Sequence, residues 1–110
     1  EVMGGWAMLS LCLGEYRKGN HEISEKWARR CLRHPNRNPA REASALTILA
    51  MTTCLAGRGL EARDLLENAR GAVNANFSRP FQHGTSWEGF WFDWVIARTL
   101  LKEADGVLGK

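Results

Sequence analysis

Chemistry in this 110-residue chain would have to start from its three histidines, its three cysteines and one basic run. Cys31 and His34 form a C-x-x-H step, half the spacing of a zinc site, but no second pair completes a four-ligand set. His83, Glu88 and Asp93 lie near one another, and an imidazole beside carboxylates can move protons. No glycine-rich phosphate loop and no nucleophile motif accompanies them. The expectation is a domain without catalysis of its own, without a metal and without a cofactor. The basic run "KWARRCLRHPNR" offers different chemistry. Lys26, Arg29, Arg30 and Arg33 share one helical face, and a row of cationic side chains can hold phosphates. Glu22 and Glu25 interrupt that row and can pair with Lys26 and Arg29, so a solvated outer face is the plainer reading. Nucleic-acid binding through these four residues is the alternative function. It is disfavoured because a phosphate stripe of this kind wants exposed aromatics beside it.

The aromatics are concentrated elsewhere. "WEGFWFDWV", from Trp87 to Val95, holds three tryptophans and two phenylalanines. At about 100° per residue, Trp87, Phe90, Trp91, Trp94, Ala97, Leu101, Ala104 and Leu108 fall on one face of a helix. Such a stripe packs as core. Phe92, Ile96 and Leu100 line the opposite side and form a candidate secondary interface, since a helix apolar on two faces must be covered on both or remain sticky.

The elements that position these residues are all helical, because apolar residues recur at helical spacing almost throughout and nothing reads as a strand hairpin. Helix one spans about Met3 to Lys18 and stops at Gly19, a residue suited to a left-handed C-terminal turn. Asn20 can cap helix two, which runs to Pro35. Asn38 followed by Pro39 is a helix start, a capping side chain and then proline at the first helical position. Helix three reaches Ala56, "GRG" turns the chain, and helix four covers Leu60 to Val73. Residues 74–85 read as a loop. Thr85 and Glu88 stand at capping-box spacing ahead of a final helix over 86–107. The fold class is all-α, about five helices in one domain.

Composition agrees. The chain is 45% apolar and 25% charged, with a net charge of +3, the balance of an ordinary globular domain with a mild tolerance for anionic partners. No apolar run approaches the roughly 20 residues of a membrane span. Three cysteines, Cys12, Cys31 and Cys54, are an odd number set within apolar helical patterns. They read as buried reduced thiols and imply a cytoplasmic setting. Beginning at Glu1, the chain reads as a piece of a longer protein.

An internal repeat organises the helices. "LCLGEYRKGNHEISEKWARRCL" from Leu11 aligns with "LAMTTCLAGRGLEARDLLENAR" from Leu49, 38 residues apart. Each has Gly eight residues in (Gly19, Gly57), then small residues five and twelve positions later: Ser24 and Cys31, Ala62 and Ala69. This pattern resembles the tetratricopeptide repeat (TPR), in which small residues let two antiparallel helices cross closely. Both copies are degenerate, with Met8 and Leu46 where the family carries its early aromatic. The resemblance implies an α-solenoid of two hairpins, about 3–34 and 39–73, closed by a Trp-rich capping helix. That last helix, "WFDWVIARTLLKEADGVL", is similar to helices closing repeat arrays in large bacterial multidomain proteins. Protein–protein interaction, as a scaffold within such a protein, is the function implied. In the repeat class the first helix of each hairpin faces the ligand, which places Leu9, Leu13, Tyr16, Ile48, Met51 and Leu55 in a candidate groove. An aliphatic groove asks for cover by a protein or peptide, by another part of the parent chain, or by a second copy in a homo-oligomer.

Overall fold

Two glycines set the hairpins. Gly19 and Gly57 hold φ of 86° and 87°, a left-handed backbone that only glycine adopts without strain. At the first, the Gly19 N–H donates to the Tyr16 carbonyl and the Asn20 N–H to the Glu15 carbonyl. At the second, the Gly57 N–H donates to the Cys54 carbonyl and the Arg58 N–H to the Thr53 carbonyl. Both are Schellman turns, so the two repeat copies share their turn geometry as well as their spacing. The third start signal also works as read: Asn38 accepts the Arg41 N–H at 3.0 Å, with Pro39 as the first helical residue. Asn20 does not cap α2 with its side chain and donates instead to the Glu15 carboxylate at 2.7 Å.

A computed structural model describes residues 3–78 and 91–109, apart from the side chains of Ser78 and Trp91. Its helices are α1 (Gly5–Arg17), α2 (His21–Leu32), α3 (Pro39–Leu55), α4 (Gly59–Ser78) and α5 (Trp91–Leu108). No strand occurs among the described residues, and none of the described helices is long and apolar enough to cross a membrane. The expected loop from residue 74 is corrected, because α4 continues to Ser78. Asn74 and Asn76 are weak helix formers, but Phe77 packs against the core and carries the Arg98 guanidinium over its ring at 4.8 Å. Tertiary packing thus overrides local propensity. His83, Thr85, Ser86, Trp87, Glu88 and Phe90, and with them the expected start of the last helix, lie outside the described residues.

α3 is the hub, packing against each of the other four helices. From Ala40 to Thr53 all its residues are buried except Glu42 and Leu46. α1 and α2 run antiparallel, since Ser24 Oγ donates to the Cys12 carbonyl at 2.8 Å and Cys31 Sγ to the Gly5 carbonyl at 3.6 Å. α4 and α5 are antiparallel too, with Arg70 on Asp105 and Phe77 under Arg98. α1 and α5 both lie along α3 and make no close backbone approach to one another. The small residues Ser24, Cys31, Ala62 and Ala69 are all buried, the placement expected of close helix crossings.

Candidate functional site

The expected groove is filled. Ile48 and Met51 are fully buried and Leu9 is nearly so; Leu13 and Tyr16 are half-buried against the same core, and of the six residues Leu55 alone is exposed. The correction has a clear cause. α5 lies on α3, and Trp94, Ala97, Leu101 and Ala104 join the core cluster that contains Ile48 and Met51. Alanines at 97 and 104 bring the α5 backbone close. Over α3 the two flanking helices are latched by Arg17 of α1, which donates two guanidinium N–H groups to the Glu103 carboxylate of α5, at 2.5 and 2.7 Å. The bonded guanidinium holds Glu103 below the usual carboxylate range, against a smaller opposing effect of burial.

The expected secondary interface divides. Phe92 and Ile96 are exposed, at 56% and 45%, whereas Leu100 is buried. Leu100 stands at a boundary, one turn beyond both exposed Ile96 and buried Ala97, and the approach of α5 to α3 draws it inward. Phe92, Ile96 and Glu103 follow one another at helical spacing and share a flank. Trp6, Leu13 and Arg17 do the same on α1. Because Arg17 and Glu103 meet, these two flanks face each other across α3, with the exposed Trp6 indole on the α1 side.

The basic row is partly committed within the fold. Arg29 pairs with Glu25 at 3.1 Å and Glu61 at 3.4 Å, and Arg58 pairs with the same two acids at 2.9 and 3.5 Å. This ring of four joins α2 to the start of α4. Arg30 lies over the Trp27 ring at 4.6 Å, and Lys26 and Arg33 point to solvent.

Cys12, Cys31 and His34 serve structure, whereas Cys54, expected to be buried with the other two cysteines, is only partly covered. Burial pushes the Cys12 thiol up to about 11 and raises that of Cys31, which makes both poor nucleophiles. His34 Nδ1 accepts the Asn36 N–H at 3.1 Å, so Nε2 carries the proton and donates to the Met3 carbonyl at 3.1 Å. Among the described residues no group of His, Cys, Asp and Glu could hold a metal ion. Asp93 is buried at the start of α5, while His83 and Glu88 lie outside the described residues.

Two features escape a reading of the sequence. Arg41 is 4% exposed, donates to the Asn36 carbonyl and faces the Trp6 ring at 5.9 Å, although an arginine in a first helical turn reads as solvated. Between α4 and α5 runs a groove flanked by Arg98 and Lys102. Their spacing of four residues was a visible signal, but the facing wall was not. No family model matches this chain, and neither do the curated proteins or the solved structures with which it was compared.

Proposed function

We propose that this domain is a protein-interaction module, an α-solenoid of two degenerate tetratricopeptide-like hairpins closed by α5, acting as a scaffold within a larger, cytoplasmic bacterial protein. The arrangement of the helices supports the architecture: two hairpins with the same Schellman turn, the same buried small positions, and each helix packed on its successor or its next-but-one neighbour. The observation that carries the function is the pair Ile96 and Phe92, large apolar side chains exposed one turn apart on α5. They look across α3 toward the exposed Trp6 of α1, so one partner segment could touch both flanks. The reading assigns the domain no chemistry of its own, in keeping with Cys12 and Cys31, whose thiols are suppressed by burial.

A photo-crosslinking amino acid placed at Ile96, with the exposed Arg63 as control position, tests this in the parent protein. The expected result is a discrete crosslinked protein from position 96, absent from position 63 and lost when Phe92→Ser is added. Equal crosslinking from both positions, or none from either, overturns the reading.

A further inference from the structure

The groove between α4 and α5 is built for a partner of definite chemistry. It has a volume of about 650 Å³. Its walls are Arg70, Val73, Asn74 and Phe77 on α4 and Arg98, Leu101, Lys102 and Asp105 on α5. Val73, Leu101 and the ring of Phe77 make an apolar floor. Arg98 and Lys102 stand at the rim, one helical turn or about 6 Å apart along the axis. Among the described residues neither has a carboxylate partner. Asp105 and Glu67, the nearby acids, are both held by Arg70. The Arg98 guanidinium lies over the Phe77 ring at 4.8 Å, a contact that positions the cation without using its N–H donors.

We propose that this groove docks an acidic amphipathic helix of a partner protein. An apolar floor with two uncompensated cations on one rim asks for apolar side chains at i, i+3 or i+4, and i+7, flanked by Asp or Glu. A helix suits the trough because its ridges can seat between two antiparallel helices. A second copy of the chain is the poorer occupant, since the chain is itself net +3 and the rim it would meet is cationic. A nucleic acid could pair its phosphates with Arg98 and Lys102 at the rim but would leave the apolar floor of Val73, Leu101 and Phe77 unfilled. The groove lies on the opposite edge of α5 from Phe92 and Ile96 and stands independently of the function proposed for that flank.

Fluorescence anisotropy with two labelled synthetic peptides decides it. Each forms an amphipathic helix of about five turns with leucines on one face; one carries Glu beside the leucines and the other Lys. The Glu peptide should bind saturably and the Lys peptide should not. The double variant Arg98→Glu, Lys102→Glu should weaken the Glu peptide about 100-fold, roughly tenfold per charge, and gain binding to the Lys peptide. Ile96→Ser should leave both results unchanged, so failure here is separable from failure of the α5-flank reading. Should the double variant unfold by circular dichroism, Lys102→Gln at an exposed side chain takes its place and must still weaken the Glu peptide. Equal binding of the two peptides, binding indifferent to these substitutions, displacement of the Glu peptide by a single-stranded oligonucleotide, or its displacement of a self-associated dimer overturns the proposal.

Discussion

α3 and α5 are similarly apolar helices with different fates. α3 is surrounded by the other four helices and is buried from Ala40 to Thr53 with two exceptions. Among the described residues α5 packs closely on α3 and α4 and reaches α1 only through the Arg17–Glu103 pair, so Trp94, Ala97 and Leu101 are buried while Phe92 and Ile96 are exposed. Apolar content says that a helix needs neighbours; the number of neighbours is set by its place in the packing. A candidate groove read from α3 and a candidate interface read from α5 rested on the same kind of residue. Of the groove residues on α3 only Leu55, at its end, stays exposed, whereas the α5 interface keeps two of its three side chains, Phe92 and Ile96, in solvent.

The sharpest way to break this comparison is to put the same charge on both helices. Met51→Glu buries a carboxylate with no partner in the middle of α3, a loss of about 3–5 kcal/mol, against a total stability of roughly 5–15 kcal/mol for a domain. The variant should lose its helical circular dichroism signal or melt far below the parent. Ile96→Glu should change stability by no more than about 0.5 kcal/mol. An Ile96→Glu variant that unfolds as readily would erase the distinction between the two helices.

A smaller effect probes how tightly the hub is gripped. Ala62 is fully buried on the face of α4 toward the core, and Ala62→Leu should overpack that crossing by about 1–3 kcal/mol. Thermal denaturation reads this directly. An unchanged midpoint would mean that α4 holds α3 more loosely than its alanines imply.

A smaller effect still belongs to the latch that ties α5 to α1. Glu103 has its folded pKa lowered from 4.5, so the stability it contributes is present above that value and is lost as the pH falls through the folded pKa. With both side chains a third or more exposed, Glu103→Gln should cost no more than about 1 kcal/mol at neutral pH. It should also flatten the decline in stability on the acid side. A variant whose acid limb matches that of the parent would show that the latch is not what holds the flanks together.

Much of the fold was legible because its signals are local. A glycine followed by a Schellman turn, an Asn-Pro helix start, and small residues at fixed distances from each glycine act within a few residues of themselves. Gly19, Gly57, Asn38, Ser24, Cys31, Ala62 and Ala69 all stand as their spacing predicts. The end of α4 was not legible, because Asn74 and Asn76 argue for a stop and only the packing of half-buried Phe77 against the core argues against it. Leu100 was misplaced for a related reason: at the edge of a helical face, angle alone does not decide between core and solvent.

What the sequence determined by itself is therefore the number and order of the helices, the hairpin turns, and which small residues lie at crossings. Each depends on backbone conformation or on a side chain too small to prevent close approach. What the tertiary structure alone decided is which apolar faces are exposed and which charges are paired. Ile48 and Met51 became core when α5 came to lie on α3 beside α1. Arg29 was taken up by Glu61, 32 residues away. Arg98 and Lys102 acquired a groove only when Phe77 and Val73 of α4 were brought beneath them. Such outcomes depend on pairs of residues far apart in the chain, and no local spacing records them.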